Sequence, residues 1–328
     1  MLIVTAAIIE KEGKVLAARR KPGSHLAGYW EFPGGKLEDG ETPEECLRRE
    51  LAEEFKIDSC IGIFVGESIY DYGTKVIRLM AYLVNHVGGE FELIDHDDLR
   101  WLGLDELDDV NWAPADIPLV EQYKALASTS EYYRANATNY CDETIDFNLL
   151  DLYPRFLEHV PKKGHILDLG CGSGRDSRAF LDAGYIVTAM DASDDVATYA
   201  EKTIRQPVLV KSFQDISFCE QFDGVWACAS LLHCPRSQIV DVLERIALSL
   251  KPNAVAYMSF KWGETESFDD EGRYFNNYTL ASLHKLIDQM TNLEMIDDWV
   301  ESKQLRGAEQ KWVNILVRRI APTCENVL

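Results

Sequence analysis

The stretch RRELAEE, Arg48 to Glu54, sets three carboxylates, Glu50, Glu53 and Glu54, on one short segment. The residues just before it, EDGETPEECL, show where that segment begins as a helix. Thr42 suits the N-cap, Pro43 the first helical position, and Glu45 completes a capping box. At 100° per residue, Leu47, Leu51 and Phe55 form one apolar face. The three glutamates fall on the adjoining arc, with Glu54 almost in line with Leu47. Solvated acidic faces normally sit opposite the core stripe, so this placement needs a chemical reason.

Composition limits what that reason can be. A chain of 328 residues with 46% hydrophobic content has room for two globular domains. Its eight cysteines include no CxxC pair, which points to neither a zinc site nor a disulfide framework and fits a reducing cytoplasm. The opening MLIVTAAIIEKEGK has an apolar run of only nine residues before Glu10, with no basic residue ahead of it. That is too short for a membrane span and wrongly flanked for a signal peptide, so a β-hairpin turning at KEGK is expected. A net charge of −22 argues against a nucleic-acid polymer as partner, because phosphate backbones demand a basic surface. It leaves room for a nucleotide whose phosphates are bridged by a metal.

The texture of the chain changes near residue 128. Before it, strand-like runs such as KVIRLMAYLV alternate with glycine turns, and IPLVEQYKALA closes the segment as a helix. The acidic stretch GGEFELIDHDDLRWLGLDELDDV reads as a solvated edge and loop, and STSE, residues 128–131, as a linker. Beyond it, HILDLG, YIVTAMD, FDGVWACAS and AVAYMSF read as interior parallel strands in βαβ rhythm. The expected division is a first domain over 1–128 and a second over 131–328, both α/β.

Starting at Gly35, GKLEDGETPEECLRRELAEEFKI resembles the Nudix box: Gly35, five residues, Glu41, seven residues, then Arg49 to Glu54 in register. With the lead-in RRKPGSHLAGYWEFPGGK it is most similar to the MutT-type branch acting on nucleoside triphosphates. The resemblance implies an α/β/α sandwich over roughly residues 1–127 that releases pyrophosphate and a nucleoside monophosphate. It implies Glu50, Glu53, Glu54 and the carbonyl of Gly34 as ligands of Mg²⁺ (or Mn²⁺), a hard ion that prefers carboxylate, water and phosphate oxygens. Such an ion reverses the sign of the repulsion among the glutamates. Arg49, four residues before Glu53, is placed to orient it. Glu53 is the favoured general base, with Asp95, Asp97 and Asp98 as loop alternatives. Arg20 is a phosphate contact and Phe32 a stacking partner for the base. Asp116 either faces the base edge or caps the IPLVEQY helix; an ionised Asp there ranks guanine nucleotides, oxidised forms included, ahead of cytosine. Lys56 departs from the family, which usually carries Gly after this helix.

In the second half, HILDLGCGSGRDS sets Asp168, Gly170, Gly172 and Gly174 between a buried strand and a helix, as a close approach to a ligand requires. Seventeen residues past Gly174, Asp191 ends the next strand, placed to accept from ribose hydroxyls. On these residues alone a dinucleotide site remains open. The GxGxG spacing after LDLG, Asp215 in SFQDI at an adenine-contact position, and FDGVWACASLLH together resemble a class I S-adenosylmethionine-dependent methyltransferase. The closing pair EMIDDWVES and KWVNILVRR resembles the reversed strands of that Rossmann-like sheet. The resemblance implies S-adenosyl-L-methionine as cofactor, His233 as a base near the methyl, Tyr133 on a cap helix, and a small molecule or nucleotide as acceptor. The combined expectation is a bifunctional cytoplasmic enzyme. Its rivals are a nucleotide sensor regulating a methyltransferase, and a second domain that is a nicotinamide-dependent oxidoreductase.

Overall fold

The strand β1, Leu2–Lys11, explains why the opening apolar run does not alternate. Ala6 and Ile8 are buried on one face of the sheet and Ala7 and Ile9 on the other, so both faces are covered. The computed structural model describes residues 1–147, 149, 151–305 and 308–320; the expected end of the second domain at 328 lies outside them. The chain forms two compact units, Met1–Ala127 and Ser128–Leu328.

In the first unit, β1 turns at Glu12 and Gly13 into β2, Lys14–Arg20, the hairpin expected at KEGK. The short β3, Trp30–Glu31, pairs with β2. Helix α1, Pro43–Glu54, follows, then β4, Asp58–Asp71, and β5, Val76–Gly88. The strand order is β3-β2-β1-β5-β4, with β1 and β5 parallel. The sixth strand, β6, His96–Leu102, pairs antiparallel with β2. Within the stretch read as a solvated edge and loop, residues 96–102 are thus a strand, while residues 89–95 are irregular. The strand's charged residues face outward while His96 and Leu102 are buried, so the acidic composition concealed it.

Helix α1 starts as its sequence dictates. The Glu45 N–H donates to Thr42 Oγ1 at 3.2 Å and the Thr42 N–H to Glu45 Oε2 at 2.9 Å. Leu47, Leu51 and Phe55 bury against Ile9, Leu16 and Val84 on one face of the sheet. The exit residue Lys56 has φ 58°, the left-handed conformation that glycine adopts without strain. The opposite face is covered by Leu119, Val120 and Tyr123 from α2, Ile117–Thr144. This helix continues through residues 128–131, so the segment read as a linker is helical, and the two units divide at its start. Serine and threonine are only mildly poor helix formers, and Thr129 Oγ1 accepts the Tyr274 N–H at 2.8 Å.

The second unit continues with α3, Tyr153–Leu157; β7, His165–Leu169; α4, Arg175–Asp182; β8, Ile186–Asp191; α5, Asp194–Ile204; and β9, Val208–Val210. Then come β10, Phe222–Ala227; α6, Ile239–Ser249; β11, Leu250–Lys261; the pair β12, Glu266–Phe268, and β13, Tyr274–Asn276; α7, Leu280–Ile287; β14, Leu293–Leu305; and β15, Ala308–Arg319. The sheet order is β14-β15-β11-β10-β7-β8-β9. The four strands read as interior from sequence are parallel in register, and β15 inserts antiparallel between β11 and β14. The order reverses between β7 and β10, a switch point at whose carboxyl ends open α/β sheets place their crevice.

Candidate active sites

Arg49 is the hub of the acidic arc. Its Nε and Nη2 donate to Glu41 at 2.7 and 3.0 Å, and its Nη1 reaches Glu50 at 2.9 Å and Glu53 at 3.3 Å. One guanidinium thus holds three carboxylates, and its hydrogen bond pulls the Glu41 carboxyl down to about 2. The Glu50 carboxylate lies against the backbone of the preceding loop: a Cβ added at Gly35 would come within 2.0 Å of Glu50 Cδ. That loop is laid on β1 by Ala7 N–H to the Pro33 carbonyl and Thr5 N–H to the Gly35 carbonyl, with the Gly34 carbonyl between them outside the ladder.

Glu54 is different. Among the described residues it makes no hydrogen bond or ion pair. Burial, with Glu50, Asp95 and Glu31 nearby, raises its carboxyl to about 7 against the weaker opposing influence of His96. Among the described residues, no group of three His, Cys, Asp or Glu is preassembled at metal-ligand spacing. The donors nevertheless suit a hard cation: oxygen ligands on one arc, one of them half-buried with no hydrogen bond or ion pair among the described residues.

Glu54 opens into a cavity of about 370 Å³ shared with Arg20, Lys21, Glu31, Phe32, Gly34, Asp95, His96 and Asp116. Of the three loop acids, only Asp95 faces it, held by Lys21 Nζ at 2.5 Å. Asp97 pairs with Arg19 at 2.7 Å, and Asp98 lies 3.7 Å from the same guanidinium. Arg20 is braced by the His25 carbonyl at 2.6 Å and Glu31 at 2.5 Å. The other oxygen of Glu31 meets His96 Nε2 at 2.9 Å, and the His96 ring stacks on Phe55. Sequence reading passed over Glu31, His96 and Lys21; nothing in their spacing sets them apart, because strand register brings them together.

Phe32 is buried against Trp112, ring centroids 4.7 Å apart, and its N–H donates to Asp116 Oδ1 at 2.9 Å. Asp116 therefore precedes α2 as a cap residue would, yet its side chain holds β3's exit. Burial, aided by Glu31, raises its carboxyl well above the usual range.

In the second unit, Gly170, Gly172 and Gly174 all have φ between 54° and 78°. At Gly170 a Cβ would lie 2.4 Å from Ser230 Cβ, so glycine lets the loops after β7 and β10 touch. Asp191 braces the loop from beneath, accepting the Gly172 and Ser193 N–H groups, both at 3.0 Å. Asp168 accepts from Ser177 Oγ at 2.6 Å, and burial beside Asp176 raises its carboxyl. Asp215 accepts from the Ser212 N–H and hydroxyl and closes its own turn.

A cavity of about 700 Å³ lies over this loop. Gly170, Gly172 and His233 line it with Tyr133 and Tyr140 of α2; Asp168, Gly174, Asp191 and Asp215 are not in its wall. Its far wall carries Lys261, Arg273, Phe275 and Trp312, which no sequence pattern singled out. His233 is held at both nitrogens, by the Tyr274 carbonyl at 2.7 Å and the Tyr133 hydroxyl at 2.8 Å, and burial pushes it down to about 4.

Known proteins resemble each unit separately. Residues 1–123 match the family model of the NUDIX domain, and residues 166–253 that of a methyltransferase domain. The CTP pyrophosphohydrolase of Escherichia coli is 40% identical over 126 residues, 38% of this chain and 93% of that one. The 8-oxo-dGTP diphosphatase of Haemophilus influenzae is 36% identical over 120 residues, 36% of this chain and 88% of that one. A Burkholderia thailandensis 1,6-didemethyltoxoflavin-N1-methyltransferase, solved with its substrate and S-adenosylhomocysteine, has the fold of the second unit. Its TM-score is 0.50 at 19% identity, covering 61% of this chain and 90% of that one. Among the described residues no helix is long and apolar enough to cross a membrane.

The raised carboxyl of Glu54 predicts a pH-dependent cost in metal-free protein. A pKa lifted from 4.5 to about 7 favours folding fully below pH 4.5, and that contribution is lost as pH rises through 7. In chelator, Glu54→Gln should therefore melt above wild type at pH 8, with the gap closing towards pH 4.5. Glu53 is 62% exposed and bonded to Arg49, so Glu53→Gln should show no such gain. Melting curves across that range check both; equal curves for Glu54→Gln and wild type at every pH would refute the assignment.

Proposed function

Because the chain belongs to the Nudix hydrolases through its first unit and carries a methyltransferase domain in its second, we propose a bifunctional enzyme that couples no chemistry between the two reactions by necessity. The first splits a nucleoside triphosphate with water into a nucleoside monophosphate and pyrophosphate. The second transfers a methyl group from S-adenosyl-L-methionine to a small acceptor. The observation that carries the first reading is Glu54, half-buried and without a hydrogen-bond or ion-pair partner among the described residues, in the same cavity as Arg20, Phe32 and Asp116.

Glu50, Glu53, Glu54 and the Gly34 carbonyl would hold Mg²⁺ or Mn²⁺. A divalent ion there supplies charge neutralisation of bridging phosphates and a water of lowered pKa. Arg49 orients Glu50 and Glu53, and Arg20, fixed by Glu31, faces the phosphates. Glu53, the most solvent-accessible of the three, takes the water's proton. Asp95 is the second reading, favoured by its place in the cavity. Removal of a general base costs roughly 10²- to 10⁴-fold in rate. Glu53→Gln should lose that much pyrophosphate release with Mg²⁺ present, and chelator should abolish release in wild type. Release at wild-type rate in Glu53→Gln, with a comparable loss in Asp95→Asn, would move the base to Asp95.

The protonated state favoured at Asp116 alters the base preference. Its Oδ1 already accepts from Phe32, and a neutral carboxyl presents an O–H donor rather than a second acceptor. Cytosine offers N3 to that donor, with its amine beside it for an acceptor such as Glu31. On that form the proposed ranking places cytosine ahead of guanine, whereas an ionised Asp116 places guanine first; relatives include both CTP and 8-oxo-dGTP hydrolases. Asp116→Asn keeps a donor and an acceptor and should retain the preference for CTP within a few-fold. Asp116→Ala should lower kcat/KM for CTP roughly ten- to a hundredfold. A switch of ranking in Asp116→Asn would restore the ionised form and guanine.

For the second unit the support is the glycine loop over the 700 Å³ cavity with Asp191 beneath it. Asp168, Asp191 and Asp215 then act through the loops and the turn they hold. Asp191→Ala should weaken S-adenosylmethionine binding about ten- to a hundredfold by calorimetry. Tight NAD binding with no binding of the methyl donor would transfer the domain to the oxidoreductases.

A further inference from the structure

The hydrogen bonds around His233 determine which of its nitrogens carries the proton. A carbonyl oxygen only accepts, so the contact with Tyr274 requires Nδ1–H. In the neutral ring Nε2 is then bare, and the Tyr133 hydroxyl must donate to it. The imidazole packs on the Phe275 ring at a centroid distance of 4.9 Å and meets Tyr133 edge-on at 5.4 Å, so both its nitrogens and one face are engaged. The phenol oxygen of Tyr133 stands in front of it in the cavity wall.

Two cations share that wall. Lys261 Nζ lies 3.2 Å from the Phe275 ring centroid, and the Arg273 guanidinium 5.5 Å from it. Arg273 neighbours the Tyr133 hydroxyl and is itself steadied by Asp269 and Glu271 at 2.7 and 2.8 Å. They come from β11 and from the segment leading into β13, in a chain whose net charge is −22. Phe275, Trp312 and Tyr257 supply flat apolar surface around them.

Resting on the reading of the second unit as an S-adenosylmethionine-dependent methyltransferase, we propose that its acceptor is a planar, weakly acidic small molecule. The class comprises phenols, enols and conjugated ring N–H groups. The acceptor's proton passes to the Tyr133 oxygen as the Tyr133 proton passes to His233 Nε2. The freed electron pair of the acceptor atom forms the bond to the methyl carbon, and the pair of the breaking S–C bond stays on sulfur. One positive charge is consumed at the sulfonium and one appears at the imidazolium, so charge balances. Arg273 and Lys261 hold the negative charge that develops on the acceptor.

The electrostatics couple these events. The groups facing His233 are Tyr133 from α2, Tyr274 from β13, Lys261 from β11, and Arg273 and Asp269 from the segment before β13. Burial foremost, then Arg273 and Lys261, disfavours an imidazolium. An anion seated between the two cations offsets their repulsion, so the proton is accepted when the negative charge arrives. An alkylammonium acceptor would instead face two like charges and a bare base already satisfied by Tyr133.

The test uses the full chain loaded with S-adenosylhomocysteine and 4-nitrophenol as probe, whose ionised form absorbs in the visible. Wild type should bind it as the phenolate at a pH well below the probe's own pKa. Over the same titration, the His233 ring nitrogens in ¹⁵N spectra should move from the Nδ1–H neutral form to the imidazolium. In Tyr133→Phe, methyl transfer from S-adenosylmethionine to the probe should fall at pH values below the probe's own pKa and recover above it, a pH profile that a merely structural tyrosine would not move. Arg273→Met should weaken phenolate binding about tenfold or more. With S-adenosylhomocysteine bound, a probe that fails to bind, binds as the neutral phenol, or leaves His233 unchanged overturns the proposal. If calorimetry finds no S-adenosylhomocysteine binding, the methyltransferase reading itself falls, and the proposal with it.

Discussion

A carboxylate withdrawn from water needs positive charge or hydrogen-bond donors close by, and both units are organised around meeting that need. In the first, one guanidinium serves Glu41, Glu50 and Glu53, while Glu54 lines the cavity. In the second, Asp176 gathers Arg175, Tyr153 and Trp226, Asp191 gathers backbone N–H groups, and Asp168 takes the Ser177 hydroxyl. Asp191 with its backbone donors holds the glycine loop, while Glu54 has no hydrogen-bond or ion-pair partner among the described residues.

The sheets decide which acids end in which state. Strand β6 pairs with β2 so that His96 sits opposite Arg20, and the same register directs Asp97 and Asp98 to Arg19 on the surface. In the second unit, β8 runs parallel to β7, so Asp191 ends level with the turn after Leu169 and lies under the glycine loop. Contact between the loops after β7 and β10 is possible because Gly170 has no side chain to strike Ser230. That contact leaves Tyr133, His233 and the β13 hairpin to enclose the cavity from the other side.

Much of this was legible in the chain. The capping box at Thr42, the apolar line of Leu47, Leu51 and Phe55, the hairpin at KEGK and the four interior strands of the second unit follow from short-range patterns. Their periodicity and turn chemistry act within a few residues. The departures share one cause. STSE looked like a linker because its composition is polar, yet Thr129 has a tertiary partner at Tyr274. Residues 96–102 looked like a loop because the outward residues are charged, while the inward His96 and Leu102 gave only a weak alternation.

The sequence by itself determined the two α/β units, the helix that bears the acidic arc and the glycine loop, because spacing along a helix or a turn is set by local geometry. It also carried the motifs on which the proposed metal- and nucleotide-binding side chains rest. Only the tertiary structure decided their states: Asp116 turned to the Phe32 N–H and away from its own helix, Asp95 and not Asp97 or Asp98 in the cavity, and His233 locked behind Tyr133. Those outcomes depend on burial and on partners between 65 and 100 residues away, as for His96 with Glu31 and Tyr133 with His233. Desolvation and charge act through space, and distance along the chain carries no record of them.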